Sequence, residues 1–279
     1  MSFYPQPFKY QCGPFALKYA LVMLGLFVNE KEIAKKAGST WWYGTDEIGL
    51  AKAAKHFKCR MKYFKGKTKL DGVNILKKHL RAGYPCILSV DNWEHWITVI
   101  YYQKKKFIVV DSAVDNVIII SSVTKLLKRW KYIDNDSGNI SYDGYALIPK
   151  FRTYTKAKFN LEKAKFLMRK NNKQLAENWD YYFNDLITIC RPRVTQAYYI
   201  ISFKEFLRRN GKLIVNQVAD WHGSPTYAEL NKILKQMTFV ADVYDLVIHT
   251  HEEKKAIIDL SSILMMYACG KYGMTKIYQ

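Results

Sequence analysis

The apolar residues in the first half of the chain change their period once, near residue 85. Before that point they recur at helical spacing, and the predicted helices are 13–25, 29–36, 45–57 and 70–82. After it come short β-branched or aromatic runs, which predict strands at 86–90, 96–102, 107–110 and 117–120. Helices followed by successive short strands predict an α+β fold with an antiparallel sheet.

Pro149 marks the expected end of this first domain, which we place at residues 1–150. The second half, 151–279, is mainly helical in pattern. Two apolar stretches, 212–218 and 243–248, predict strands, and 252–268 predicts a last helix. No nucleophile–base pair with a known spacing occurs there. We therefore expect an accessory or substrate-recognition domain.

The composition is that of a packed globular protein, with 49% hydrophobic and 24% charged residues. The longest apolar run, 19–28, is too short for a transmembrane segment and does not follow a basic leader. We expect a soluble, cytoplasmic protein. Its five cysteines are scattered and form no Cys-x-x-Cys pair, which argues against a disulfide framework or a zinc ribbon and leaves a thiol free to react.

The formal net charge is +20. Residues 1–150 contain 24 Lys+Arg against 12 Asp+Glu, and residues 151–279 contain 20 against 12. The excess is thus spread along the chain, without a basic tail. The positive charge is compatible with a polyanionic partner, such as nucleic acid or an anionic surface. It is equally compatible with a lysine-rich composition that is unrelated to any partner.

Cys12 stands immediately before the predicted helix 13–25. A helix N-terminus stabilises an anion, and the thiolate is the nucleophilic form of cysteine. His95 begins a predicted strand and Asp111 follows the next one. If the two strands form a hairpin around 103–106, their outer ends meet, and Asp111 can orient His95 as a base for Cys12. Gln6 lies six residues before Cys12, at a distance suited to an oxyanion donor.

Three motifs resemble one known family. They are Gln6 with Tyr-Gln-Cys-Gly-Pro at 10–14, the sequence GTDEIGLAKAA at 44–54, and the His95 strand followed by Val-Val-Asp at 109–111. Over residues 4–150 the sequence resembles the double-glycine leader peptidase domains of bacteriocin-processing ABC exporters. The resemblance implies a papain-like fold, a Cys12–His95–Asp111 triad, Gln6 in the oxyanion hole and no cofactor.

The sequence departs from that family in two ways. Ser112 follows Asp111 where the family usually has proline, and the chain has neither a Walker motif nor a membrane span. We therefore expect this sequence to share the family's catalytic chemistry more closely than its substrate.

Other candidate residues have an ordinary structural interpretation as well. Trp41, Trp42 and Tyr43 are candidates for a substrate-binding surface, although aromatic residues more often lie in a core. His249 and His251 would share one face of a strand, but no further ligands lie near them in sequence, so we predict no metal site.

Three functions remain open from the sequence. The first is a cysteine peptidase that cleaves a peptide or protein substrate through an acyl-enzyme. The second is deamidation or another acyl transfer on the same fold, because water and amines can both resolve a thioester. The third is a basic nucleic-acid-binding protein that uses the peptidase-like half as a scaffold, and it would predict a damaged triad.

We predict that Cys12 is the most reactive of the five cysteines, because a helix N-terminus and a histidine both favour its thiolate. Iodoacetamide labelling at pH ~6, where an ordinary thiol is almost fully protonated, should modify Cys12 first when the sites are mapped by mass spectrometry. Faster labelling of Cys59, Cys86, Cys190 or Cys269 would contradict the assignment.

Overall fold

A computed structural model describes residues 1–193, 199–219, 221 and 225–270 of the chain. It divides into two compact units, Met1–Glu177 and Asn178–Gln279. The division falls after the boundary expected at residue 150, because residues 151–177 belong to the first unit. The backbone N–H groups of Ser2 and Phe3 donate to the carbonyls of Glu177 and Ala176, which joins the two ends of that unit.

The first unit contains seven α-helices among its residues, all of which the structure describes. Their bounds are α1 Cys12–Met23, α2 Glu30–Ala37, α3 Glu47–His56, α4 Lys69–Arg81, α5 Val123–Trp130, α6 Leu161–Leu167 and α7 Lys173–Glu177. Five of them begin after a side chain that accepts a backbone N–H of the first turn, the N-caps Asn29, Asp46, Thr68, Ser122 and Asn160. The four helices predicted before residue 85 are confirmed.

Seven strands form one antiparallel sheet in this unit. They are β1 Cys59–Gly66, β2 Cys86–Val90, β3 His95–Gln103, β4 Lys106–Val110, β5 Ile118–Ser122, β6 Tyr132–Ile133 and β7 Ile140–Pro149. The main path runs β1-β7-β2-β3-β4-β5, and β6 pairs with β7. The α+β class and the four predicted strands are confirmed. Strand β1 was not predicted, because its lysines face water and only three of its eight residues are buried.

The hairpin between β3 and β4 has the expected turn. Gln103 pairs with Lys106, and the two residues between them, Lys104 and Lys105, adopt positive φ angles of 49° and 59°. Such angles are typical of the two-residue turn that matches the twist of paired strands. The register brings the start of β3 towards the end of β4, where Thr98 pairs with Val110.

The sheet has a hydrophobic core on each face. On one face lies α1, every residue of which is buried, together with α2 and α3. On the other face α4 and α5 pack through Leu76, Leu126 and Trp130. A helix that is buried on all sides is typical of the centre of a domain. The first helical turn of α1 is therefore held by core packing.

The second unit combines four helices with a small antiparallel sheet in the described part of residues 178–279. Its elements are α8 Trp179–Ile189, β8 Arg191–Pro192, β9 Ile200–Ser202, α9 Phe203–Val218, α10 Tyr227–Val243, β10 Leu246–His249 and α11 Glu253–Ala268. The strand order is β8-β10-β9. The mainly helical character of the C-terminal region and its last helix are confirmed.

Two strand predictions in this unit are corrected by the structure. Residues 212–218 lie inside α9, and of 243–248 only the last three residues enter β10. The apolar run that suggested a strand is the buried stripe of an amphipathic helix, in which Phe206, Ile214 and Val218 face inwards. In the described residues, no helix is both long and apolar enough to cross a membrane.

Gly49 gives a test of how closely α2 and α3 pack. A Cβ atom on Gly49 would lie 2.4 Å from the backbone oxygen of Ala37, whereas one on Gly211 in α9 would meet only the Leu207 side chain at 3.9 Å. We predict that Gly49→Ala lowers the free energy of unfolding by about 1–3 kcal/mol. Gly211→Ala should raise stability by about 0.5–1 kcal/mol through helix propensity.

Urea unfolding followed by circular dichroism measures both effects, and each variant is compared with wild type in the transition of its own unit. A neutral or stabilising Gly49→Ala would show that α2 and α3 pack less tightly than the 2.4 Å approach indicates.

Candidate active site

Cys12 is the first residue of α1 and is 6% exposed. The N–H groups of a first helical turn have no partner within the helix, so they and the macrodipole favour an anion at this position. The residue after Cys12 is Gly13, which lies close to the loop before α3. A Cβ atom on Gly13 would lie 2.9 Å from the Cβ of Thr45, so a larger residue does not fit at this position. The Cys12 thiol thus lies at a buried helix N-terminus, and a larger side chain at position 13 would displace this end of α1.

His95 and Asp111 meet at the ends of β3 and β4, as the hairpin predicts. The imidazole Nε2 is 2.7 Å from Asp111 Oδ1, and the Asp111 side chain is almost fully buried. Because Nε2 is engaged with the carboxylate, Nδ1 is the nitrogen left to face the thiol. The Asp111 Oδ1 atom also accepts the backbone N–H of Ala113 at 3.0 Å, which fixes the carboxylate plane.

The charges of this pair stabilise each other. Burial would lower the pKa of His95, but hydrogen bonds and charge interactions with Asp111 and Cys12 outweigh it and raise the pKa from 6.5 to about 9. Burial would raise the pKa of Asp111, but hydrogen bonds from His95, Arg129 and Ala113 lower it to about 2. At neutral pH the site therefore contains an imidazolium and a carboxylate.

Gln6 is hydrogen-bonded to Ser112, the residue after Asp111. Its side-chain Oε1 accepts the Ser112 hydroxyl at 2.5 Å, and its backbone N–H donates to the Ser112 carbonyl at 2.9 Å. Its Nε2 donates to the carbonyls of Phe8 and Lys9 at 3.1 and 3.0 Å. The amide thus organises the segment before Cys12, and one of these two bonds must open before Nε2 can donate to an oxyanion.

Trp41, Trp42 and Tyr43 form an exposed turn near the segment that leads into Cys12. They are 71%, 60% and 89% exposed, so they are not part of a core. The turn is closed by a bridge between Thr40 and Gly44, and Gly44 adjoins the carbonyl of Tyr10.

The residue that follows this turn connects it to the histidine strand. The carbonyl of Thr45 accepts the indole N–H of Trp96 at 3.0 Å, and Trp96 is the neighbour of His95. The aromatic turn is therefore fixed at the rim of the site.

Arg129 is a member of this cluster that the sequence did not indicate. Its Nη1 donates to Asp111 Oδ2 at 2.7 Å, and its Nε and Nη2 donate to Asp91 at 3.1 and 2.7 Å. Its helix, α5, was not predicted, and the two carboxylates are 18 and 38 residues away in sequence. No local pattern could have identified it.

The other cysteines have different surroundings. Burial raises the pKa of Cys59 to about 11 and of Cys190 to about 12, and it raises that of Cys86 as well. Cys269 is exposed and is the natural comparison for Cys12 in a labelling experiment.

The described residues contain no group of three or more His, Cys, Asp or Glu side chains placed to hold a metal ion. The rings of His249 and His251 are 5.5 Å apart in the second unit, outside any such group.

Comparison with known proteins identifies the domain. Residues 1–137 match the model of the Peptidase_C39 like family. No curated protein is significantly similar to the chain. The N-terminal part of the chain is thus a C39-like peptidase domain.

Solved structures similar to the chain include three peptidase domains. The peptidase domain of Streptococcus ComA, a bifunctional ABC transporter in a quorum-sensing pathway, is 19% identical, with a TM-score of 0.41, and the match covers 53% of this chain and 98% of that one. A double-glycine motif protease from an AMS/PCAT transporter, solved with its leader peptide, is 17% identical, with a TM-score of 0.39 and coverages of 51% and 90%. A C39-like peptidase from Bacillus anthracis is 17% identical, with a TM-score of 0.37 and coverages of 51% and 92%.

The raised pKa of His95 gives a prediction for stability. A group that binds its proton more tightly in the folded state stabilises that state fully below its unfolded pKa, about 6.5, and loses the contribution as pH rises through about 9. The free energy of unfolding of wild type, measured relative to that of His95→Gln, should therefore decrease as the pH rises from about 6.5 to about 9.

Urea unfolding at a series of pH values measures this difference, and the exposed His56 supplies the control variant His56→Gln. A difference between wild type and His95→Gln that is constant from pH ~6 to pH ~10 would contradict the prediction.

Proposed function

We propose that the protein is a cysteine peptidase in which Cys12 is the nucleophile, His95 the base and Asp111 the residue that orients His95. The observation that supports it best is the 2.7 Å contact between His95 Nε2 and Asp111, formed beside a cysteine at a buried helix N-terminus. A nucleophile, a base and an orienting carboxylate in this relation are the parts that acyl transfer requires.

The reaction follows from these positions. The thiolate of Cys12 attacks the carbonyl carbon of a peptide bond, and the C–N bond breaks as His95 gives its proton to the leaving amine. Water then attacks the thioester, His95 takes a proton from it, and the carboxylic acid leaves Cys12. The Cys12 backbone N–H and the Gln6 amide are the proposed donors to the oxyanion, with Gln6 exchanging one of its bonds to Phe8 or Lys9.

The proposed substrate is an extended peptide or a protein segment. Trp41, Trp42 and Tyr43 offer an exposed aromatic surface at the rim of the site, suited to apolar side chains of a bound chain. One of the similar structures, the double-glycine motif protease, was solved with a leader peptide bound. Deamidation or another acyl transfer uses the same residues and is the outcome to be separated by experiment.

A polyanionic partner would meet the first unit rather than the second. Residues 178–279 contain 12 Lys+Arg against 10 Asp+Glu, a net of +2, which leaves +18 on residues 1–177. Most of the positive excess of residues 151–279 lies at 151–177, which contain eight Lys+Arg against two Asp+Glu. Long-range attraction by lysines is therefore a property to expect of the unit that carries the site.

The proposal is tested with a pool of peptides from a digested proteome. Mass spectrometry of the pool after incubation with wild type should show new termini that are absent after incubation with Cys12→Ala. Cys12-dependent deamidation or amide exchange without new termini would favour the second function. The absence of any Cys12-dependent change would remove the peptidase proposal.

Substitutions in the site should separate chemistry from folding. We predict that His95→Ala loses nearly all turnover, and that Asp111→Asn keeps a measurable remainder because the imidazole is only mis-oriented. Gln6→Ala should lower turnover by about a hundredfold if it supplies an oxyanion donor. Gln174→Ala, at an exposed position, is the matched control.

Circular dichroism must show that each variant is folded before its turnover is compared. Full activity of Asp111→Asn would make Asp111 a structural residue, and full activity of Gln6→Ala would limit Gln6 to its contacts with Ser112 and the Phe8 and Lys9 carbonyls.

A further inference from the structure

We propose that Arg129 is a positioning residue for the Cys12–His95–Asp111 site, and that it fixes both Asp111 and the turn that delivers His95. The inference rests on the proposed function for its catalytic meaning. Its structural basis is the fork of the Arg129 guanidinium, which binds two carboxylates, Asp111 on one side and Asp91 on the other.

Arg129 completes the surroundings of Asp111. Oδ1 of that carboxylate is occupied by His95 and by the Ala113 N–H, so Oδ2 is the oxygen that remains, and Arg129 Nη1 binds it at 2.7 Å. With both oxygens engaged, the carboxylate cannot rotate without breaking a charged hydrogen bond in a buried place. Arg129 thereby keeps Oδ1 directed at His95.

Arg129 also holds the turn before His95. Asp91, Asn92 and Trp93 have φ angles of 54°, 56° and 68°, a left-handed conformation that is unfavourable for a tryptophan in particular. Arg129 binds the Asp91 carboxylate through Nε and Nη2, and its backbone carbonyl accepts the Asp91 N–H at 2.8 Å. Four hydrogen bonds between these two residues, three from the guanidinium and one from the Asp91 N–H, compensate for the unfavourable backbone conformation. Strand β3 begins at His95, soon after this turn.

The charged groups around His95 alternate in sign. The Asp111 carboxylate binds the imidazole, Arg129 binds Asp111, and Asp91 binds Arg129. The side chain of Cys12 also lies beside the imidazole. Tyr19 of α1 also lies near Asp111, where burial and neighbouring charges, including Asp111, raise the pKa of its hydroxyl and keep it neutral. Arg129 is therefore the second cation of the cluster. Because it binds the same carboxylate as His95, we expect it to oppose the protonation of His95.

The two effects of Arg129 can be measured separately. In Arg129→Gln the cation is lost, so the pKa of His95 should rise further above about 9, as read from its NMR titration and identified by its absence in His95→Gln. In the same variant kcat on a cleaved peptide should fall about tenfold or more, with KM little changed, because the base and its orienter are no longer held.

Arg129→Lys provides the discriminating comparison. It keeps the charge, so the pKa of His95 should stay near that of wild type, but an ammonium lacks the planar fork that serves Asp111 and Asp91 together. The kcat of Arg129→Lys should therefore lie between that of Arg129→Gln and that of wild type. Asp91→Asn should give a smaller loss of kcat, and Lys128→Gln, an exposed neighbour in α5, should match wild type in every measurement.

The proposal is overturned if Arg129→Gln loses stability, or loses activity, while the pKa of His95 stays unchanged, since that is the result of a structural role alone. It is also overturned if Arg129→Lys restores full kcat, since a point charge would then suffice. The titration needs no substrate. Failure of wild type to cleave any peptide would thus remove the proposed function without deciding whether Arg129 and His95 are coupled.

Discussion

The packing of α1 against β3 is the contact on which the site depends. The thiol lies at the start of a helix and the imidazole at the start of a strand, so only a fixed helix–sheet contact keeps them together. The Thr98 hydroxyl donates to the carbonyl of Ala16 at 2.6 Å, and this bond joins the two elements inside the core. Because all of α1 is buried, rotation of the helix would expose apolar surface. The position of Cys12 is thus set by the core.

The sequence was sufficient to predict the β3–β4 hairpin and the start of α1, where local rules decide the structure. Short β-branched or aromatic runs on either side of a short polar segment predict a hairpin, and a hairpin fixes which residues lie opposite each other. This pairing brings the start of β3 near the end of β4, although the register shifts between Val99 and Tyr101 before Thr98 pairs with Val110. The N-terminus of α1 could also be predicted, since Gly13 and Pro14 fit its first turn and apolar residues follow it.

The sequence was insufficient wherever distant residues decide the structure. Pro149 ends strand β7, but the unit continues to Glu177 because its last helix is bonded to Ser2 and Phe3 at the other end of the chain. Residues 212–218 have an apolar run that suits either a strand or a helix, and burial on one side of α9 decides for the helix. In each case the missing information is a tertiary contact.

Arg129 shows why the proposed site needs more than Cys12, His95 and Asp111. A buried carboxylate beside a histidine is costly unless each oxygen is bound, and a buried guanidinium is costly unless its own charge is paired. Asp111 is 1% exposed, Arg129 30% and Asp91 41%, so the row of alternating charges leads from the buried pair to the surface. The last charge, on Asp91, is the one that water can reach. The row leaves no charge both buried and unpaired, because Asp111 pairs with His95, Arg129 pairs with Asp111, and Asp91 pairs with Arg129.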